Sequence, residues 1–415
     1  MNENNTQNVI PNVNSKGQEE RNVPDLRYKE FADEWIISNI SNAFTLLTNN
    51  SLSRDDLNYD CGCRKNIHYG DILTKYTTVK NITDNDVPYI NDNIKISNSS
   101  IKLISGDIIV ADTAEDYTVG KAIEIYDPNS LEIYSGLHTI PLRPKHKFAV
   151  GYLAYYFNSY NHKKRIFPLI QGIKVYSISK SALSSSIIKF PTLEEQDKIA
   201  QILIKLDARI STQKKIIEDL LSSKIIIKNK MIHKAKEIGN YYTLKELGQY
   251  FNGVAHENNI SEQGYVLINS KFISSDGTIK KHVNDSSFVL KKNDICIVLS
   301  DLPNGKALSK CFFVNKDNYY ALNQRIACIR TNDISFSKYL YYYLSRNDYF
   351  LKFDDGVSQT NLKKDDVLNC PIYYSDFVKK YIEYLEIIDI KIKNEKQILL
   401  LYEQQKQYLL DKMFI

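Results

Sequence analysis

Read in alternating steps of four and three, the stretch from Leu193 to Glu237 puts Ile199, Leu203, Leu206, Ile210, Gln213, Ile217, Leu220, Lys224, Ile227 and Met231 on one line, and eight of the ten are apolar. This is the seam of a helix that packs along another helix. A shift of 182 residues gives Tyr381, Leu385, Ile388, Ile392, Glu395, Leu399, Tyr402, Lys406, Leu409 and Met413, again with eight apolar positions. The polar exceptions fall at the same two places: Gln213 answers to Glu395, and Lys224 to Lys406. Two long amphipathic helices with matching interruptions predict a duplicated unit of globular domain plus helix.

The remaining pattern is short and β-like. Residues 1–24 carry almost nothing apolar and are expected to form a disordered tail. From about Pro24 to Pro191, β-branched runs alternate with polar turns, as at Ile108-Ile109-Val110 and from Ile166 to Ile173, and a helix interrupts them near Gly151 to Asn158. Thr192, with Glu195 three residues on, is placed to open the first long helix as a capping box, and that helix decays near Gly239. The second half replays the first. Ile40 to Phe44 resembles Leu247 to Phe251, Gly106 to Val110 lines up with Asn293 to Ile297, and Tyr152 to Phe157 lines up with Tyr339 to Leu344. Gly172 with Ile178 matches Gly356 with Leu362. The expected order is tail 1–24, domain 25–191, helix 192–238, domain 239–375, helix 376–415.

Composition adds limits. With 415 residues, 25% charged and 43% hydrophobic, the chain has room for a full core in each of two domains. A net charge of +5 leaves any nucleic-acid contact to local patches. No apolar run is long enough to span a bilayer. Cys61, Cys63, Cys296, Cys311, Cys328 and Cys370 show no secreted-type framework, which points to a reducing cytoplasm.

Catalytic signatures are missing. Gly305-Lys306 is followed by Ala307 and lacks the earlier glycine of a phosphate loop. No dinucleotide-type glycine turn and no Asn/Asp-Pro-Pro-aromatic tetrapeptide of amino-methyltransferases occurs. Cys61-Gly62-Cys63 with His68 has spacing too narrow for an ordinary zinc site. Glu194, Glu195 and Asp197 fan around a first helical turn, where the dipole favours acids. The expectation is a protein that binds and does not catalyse, with no metal site.

Several runs resemble one family. Pro24-Asp25-Leu26-Arg27-Tyr28-Lys29-Glu30-Phe31-Ala32-Asp33-Glu34-Trp35 looks like the lead-in of specificity subunits of Type I restriction–modification systems. Phe190-Pro191-Thr192-Leu193-Glu194-Glu195-Gln196-Asp197-Lys198-Ile199 resembles that family's turn into its central helix, and each half carries a Gly-x5-Ile/Leu stretch before its helix. The second copy departs from the pattern, with Ser375 to Lys380 standing where the first has Pro191 to Gln196. The resemblance implies an α+β fold: two mixed α/β target-recognition domains in pseudo-twofold arrangement, joined by two long antiparallel coiled-coil helices. It implies double-stranded DNA as ligand, each domain reading half of a bipartite target. The implied partners are two methyltransferase subunits and two restriction/translocase subunits. S-adenosylmethionine, ATP and Mg would sit on those partners, leaving no cofactor on this chain.

In such a chain, base readout is expected from domain loops. Asn323, Gln324 and Arg325 are favoured in the second domain, since Gln suits adenine and Arg guanine, with Lys306 and Gln359 as further candidates. The matching positions in the first domain are Ser135 and His138, joined by Tyr117, Lys121, Lys174 and Tyr176. The bland alternative for each is an ordinary surface loop residue, and His138 could equally serve as a core histidine. The Tyr-rich helices near Tyr152 and Tyr339 fit a core better than a stacking platform. Glu194, Glu195, Gln196 and Lys198 are expected to contact a methyltransferase subunit. Ile202, Ile216, Leu221, Ile225 and Ile226 lie off the main seam and widen the apolar stripe for a further partner. Rival readings are a coiled-coil scaffold that binds protein, a self-sufficient nuclease or methyltransferase, and a silent specificity cassette. Salt-sensitive DNA affinity and a methylation phenotype separate the main reading from the scaffold.

Overall fold

A computed structural model describes residues 22–127, 132–256, 259–286 and 288–415; most of the expected tail lies outside them. The chain divides into two compact units, one running up to Lys214 and joined by Gln397–Ile415, the other Lys215–Lys396. The fold is α+β, with two β-rich domains and two long helices, Leu193–Ile238 and Lys379–Lys412, packed on each other. Among the described residues no helix is long and apolar enough to cross a membrane.

The first unit is built on a five-stranded sheet in the order Phe44–Leu46, Thr139–Pro144, Ile108–Ala111, Ala122–Tyr126 and Val79–Asn81. The three middle strands pair antiparallel and are almost wholly buried, and the innermost, Ile108–Ala111, accordingly reads as an unbroken apolar run. One face of the sheet meets the helix Tyr152–Asn158, and Tyr152, Tyr155 and Tyr156 are buried core residues. A second sheet contains the parallel pair Glu132–Ser135 and Arg64–Ile67. Ile199, Leu203, Leu206 and Ile210 of the central helix share this unit's core with Leu409, Leu410 and Met413 of the C-terminal helix. Ion pairs Asp207–Lys406 and Lys214–Glu403 run in opposite chain directions, so the helices are antiparallel here.

The second unit repeats the plan. Its sheet runs Gln249–Asn252, Ile326–Arg330, Ile295–Val298, Cys311–Phe313, and its second sheet contains the parallel pair Tyr265–Ile268 and Tyr320–Leu322. The helix Ile334–Leu344 takes the place of Tyr152–Asn158, with Tyr339, Tyr342 and Tyr343 buried. Met231 and Ala235 of the central helix pack with Ile382 and Leu385 of the C-terminal one.

Identical ion pairs brace the two sheets. Arg143 grips Asp107 through two bonds of 2.9 and 2.7 Å and also donates to the carbonyl of Lys102. Arg330 grips Asp294 at 2.8 and 2.7 Å and donates to the carbonyl of Val289. Both carboxylates are buried.

Three expectations need correction. Ile40 aligns with Leu244, not Leu247, because each opens the short helix that leads into the edge strand. The run from Ile166 to Ile173 is not a strand. Ile166 ends the helix Tyr160–Ile166, and Phe167–Leu169 form a 3-10 turn around Pro168, which offers no N–H for a ladder. The expected capping box at Thr192 also reads differently. The carbonyl of Thr192 accepts from Gln196, while both carboxylate oxygens of Glu195 accept from Arg27.

Candidate nucleic-acid interface

In each unit the parallel strand pair of the second sheet delivers the chain into one tight turn before the strand next to the edge of the main sheet. In the second unit this turn is Asn323-Gln324-Arg325. The amide of Asn323 donates to Ile268, that of Gln324 to Val254 and that of Ile326 to Asn323. Arg325 is held at φ 68°, a conformation a non-glycine residue adopts rarely. Its side chain is exposed beside an open depression of about 270 Å³ lined by Asn269, Ser270, Lys271, Asn323, Gln324 and Arg325. Asn269 caps the helix Ser270–Ser274 by accepting from Phe272 at 2.8 Å. Amide, hydroxyl, ammonium and guanidinium groups thus ring one recess, a set suited to base edges and phosphates.

In the first unit the corresponding turn is Gly136-Leu137-His138, where the amide of Gly136 donates to Ile67 and His138 takes φ 56°. Its imidazole lies 3.3 Å from the Thr113 hydroxyl, 3.5 Å from Asp112, and edge-on to Tyr69. His68 follows the strand Arg64–Ile67 as Asn269 follows its own. The Nδ1 atom of His68 accepts from the Gly70 amide at 3.1 Å and faces the Arg54 guanidinium at 3.0 Å. Arg can only donate, so Nδ1 is the acceptor and the ring proton sits on Nε2. Burial, then the charge of Arg54, hold His68 below the usual imidazole range. Arg54 is itself fixed by two bonds to buried Asp71.

A second strip adjoins each turn by the same ladder. The carbonyl of His138 accepts from Asp112, whose own carbonyl accepts from Ile178; Arg325, Leu299 and Leu362 repeat this bond for bond. The strip in the first unit is the ribbon Thr113–Ala114 with Tyr176–Ser177, where Tyr176 and Phe167 ring Tyr117 at 5.0 and 5.6 Å. In the second unit it is Ser300–Asp301 with Thr360–Asn361, and Gln359 donates to the Ser300 hydroxyl at 2.7 Å. The exposed residues Lys174 and Lys306 lie in the loops beyond.

The candidates therefore separate. Asn323, Gln324, Arg325 and Gln359 share one edge of the second unit, and His138, Tyr117 and Tyr176 share the equivalent edge of the first. Ser135 does not join them: it is fully buried, its hydroxyl bonded to Thr139. Nor does Lys121, whose ammonium donates to the carbonyl of Leu73; burial lowers its pKa, with Lys163 and Lys406 adding to the effect. Of the four expected methyltransferase contacts, Glu194 is exposed and Lys198 pairs with Glu30 at the surface. Glu195 is buried against Arg27, and Gln196 bonds the amide of Ala149 and the carbonyl of Pro191. Sequence reasoning missed Arg54, His68, Asn269 and Lys271. An Asn directly after an apolar strand, as at Asn269 after Tyr265–Ile268, is a cap signal that could have found one of them.

Comparison with known proteins gives a family model, a curated relative and a solved structure similar to this chain. Residues 45–222 match the family model of the Type I restriction modification DNA specificity domain. A protein of Methanocaldococcus jannaschii assigned as the specificity subunit of the type I restriction enzyme MjaX is 26% identical over 237 residues. The match covers 55% of this chain and 53% of that protein, so it spans about half the length of the relative. The crystal structure of a Type I restriction–modification S subunit from M. genitalium shares the fold, with a TM-score of 0.56 at 16% identity over 95% of this chain and 99% of that one. The likeness in fold spans both units, while the family model matches the first unit and part of the central helix. In sequence the chain is similar to Type I restriction–modification specificity proteins over residues 45–222, and in fold it is similar to a specificity subunit over nearly its whole length.

Proposed function

We propose that the chain is the DNA specificity subunit of a Type I restriction–modification enzyme, and that it recognises without catalysing. Each β-rich domain reads one half of a bipartite target in double-stranded DNA through its left-handed turn and the adjoining strip. The observation that carries this reading is the pair His138 and Arg325. They occupy one backbone position, in one rare conformation, with different side chains. A frame kept constant while its tip chemistry changes is what two different half-sites require.

The long helices set the distance between the half-sites and dock two methyltransferase subunits, which hold S-adenosylmethionine; two restriction/translocase subunits with ATP and Mg complete the assembly. A helix of 46 residues extends over roughly 70 Å, enough to act as a ruler along a duplex. Support for docking comes from the off-seam residues Ile202, Ile216, Leu221, Ile225 and Ile226, all exposed on the central helix, and Ile387, Ile390, Leu400 and Leu401 on the C-terminal one. Apolar surface of this extent along a helix pair marks a protein contact.

The test is a base-resolution methylome of cells expressing the chain with its neighbouring methyltransferase, against the methyltransferase alone. A two-part motif of constant spacer, methylated only with both chains present, is the expected result. A stable complex that leaves the methylome unchanged contradicts the proposal.

A further inference from the structure

Two of the four polar interruptions of the helix seams, Lys224 and Lys406, are engaged in one arrangement built twice. In the first unit the Lys406 ammonium meets Asp207 at 2.6 Å, and the other oxygen of Asp207 accepts the Tyr155 hydroxyl at 2.8 Å. Lys406 also lies over the Tyr155 ring, 5.7 Å from its centre. In the second unit Lys224 meets Asp389 at 2.5 Å, Asp389 accepts the Tyr342 hydroxyl at 2.8 Å, and Lys224 lies 5.5 Å over the Tyr342 ring. Each aspartate thus joins three elements: its own long helix, the other long helix, and the tyrosine helix under the recognition sheet.

The apolar positions of the seam do not by themselves distinguish between alignments of the two helices. Apolar residues recur every three or four positions on both, so a slip of one heptad lays apolar side chains on apolar side chains again. Such a slip separates Lys406 from Asp207 and Lys224 from Asp389, leaving four half-buried charges without their partners. Each helix carries its aspartate and its lysine at the same spacing, so the alignment that joins one pair also joins the other. Polar residues inside an apolar seam are a known means of choosing register.

Building on the functional reading above, we infer that Asp207, Lys406, Asp389 and Lys224, with Tyr155 and Tyr342, are the positioning residues that fix the register of the long helices and so determine the spacer length of the DNA target. They touch no base. Their effect is on the distance between the two reading edges.

Two readouts separate this inference from the functional reading beneath it. The first needs no DNA. In the full chain with Cys61→Ser and Cys63→Ser, nitroxide labels at Ser211→Cys and Gln405→Cys, both exposed positions, report register as a spin–spin distance. One narrow distance is expected. Asp207→Lys with Asp389→Lys should broaden it or add a population displaced along the helix by about 10 Å, one heptad. Adding Lys224→Asp and Lys406→Asp should restore the narrow distance. An unchanged distribution in the aspartate-reversed chain overturns the inference. If both charge-altered chains fail to fold, Asp207→Asn with Asp389→Asn decides in the same way, broadening for it and no change against it.

The second readout is the methylome with the neighbouring methyltransferase. The reversed chain should methylate unchanged half-sites at more than one spacer, differing by about three base pairs for a one-heptad slip at 3.4 Å per pair. A register that moves while the methylated spacer stays constant overturns the assignment of spacer length to these residues. If the unaltered chain yields no two-part motif, the functional reading fails, while the label distances still judge the register.

Discussion

His138 and Arg325 stand at one place in the repeated fold, each forced into the left-handed region by the same turn, yet their side chains are held differently. His138 is exposed too, but its ring lies against Thr113, Asp112 and Tyr69. Arg325 is exposed at the rim of a polar recess. A few residues behind them the two units become chemically identical, with Arg143 on Asp107 and Arg330 on Asp294 making the same bonds down to the third carbonyl partner. The comparison teaches where this fold tolerates change. Buried ion pairs must be kept whole, because half of one is a buried charge alone. A tip residue facing solvent carries no such penalty and is free to vary.

The sharpest way to break the comparison is through the braces. Arg143→Met and Arg330→Met each leave a buried carboxylate without its partner and should cost about 3–5 kcal/mol, read from urea unfolding. Losses that differ widely between the two would show that the frames are not equivalent.

A pH-dependent difference comes next. Glu124 is buried beneath the helix Tyr152–Asn158, and desolvation pushes it up to about 7 although the Gly151 and Ala154 amides favour its charged form. Its folded pKa exceeds its unfolded value, so its contribution is whole below about pH 4.5 and is lost as pH rises towards 7. The loss amounts to about 3 kcal/mol. In the ladder, Phe313 occupies the matching position of the second unit. Glu124→Gln should therefore flatten the decline in first-unit stability between pH 5 and 7, measured by urea titration at each pH. His162 works against this trend. Burial lowers it to about 3, and its neutral form favours folding less and less as pH falls below 6.5. The comparison must accordingly be made against the parent chain at each pH.

A smaller effect concerns affinity. If Arg325 reads a guanine, Arg325→Ala should cost about 1–3 kcal/mol and relax preference at one base pair, read from competition binding at fixed salt. His138→Ala should cost less, because its ring already has partners within the protein. Equal losses would place both tips in the same role. Smallest of all, Tyr155→Phe and Tyr342→Phe each remove one hydroxyl from an aspartate and should lower stability by about 1 kcal/mol, nearly equally. Unequal losses in thermal unfolding would mean that the two junctions do not match.

Much of the architecture was legible in the chain. The helix seams, the matched interruptions Lys224 and Lys406 and the replayed Asp-Ile strand depend on periodicity and repetition, which are local properties of a sequence. Less of the recognition edge could be read. Ser135 and Lys121 were credible on position alone, but burial removed Ser135 and a carbonyl of the helix Tyr69–Thr74 claimed Lys121. Glu195 and Gln196 sit in a motif whose exposure no pattern reveals, and both turn inward to Arg27, Ala149 and Pro191.

By itself, then, the sequence determined the repeat, the two helices and the absence of a recognisable catalytic motif, because heptads and duplicated strands are written in consecutive residues. The tertiary structure alone decided what the polar residues do. The pairs Asp207–Lys406, Asp389–Lys224, Asp107–Arg143 and Asp294–Arg330 join residues far apart in the chain. No local pattern names the partner of a charge; the energy of a buried or half-buried charge is set by whatever the fold brings beside it.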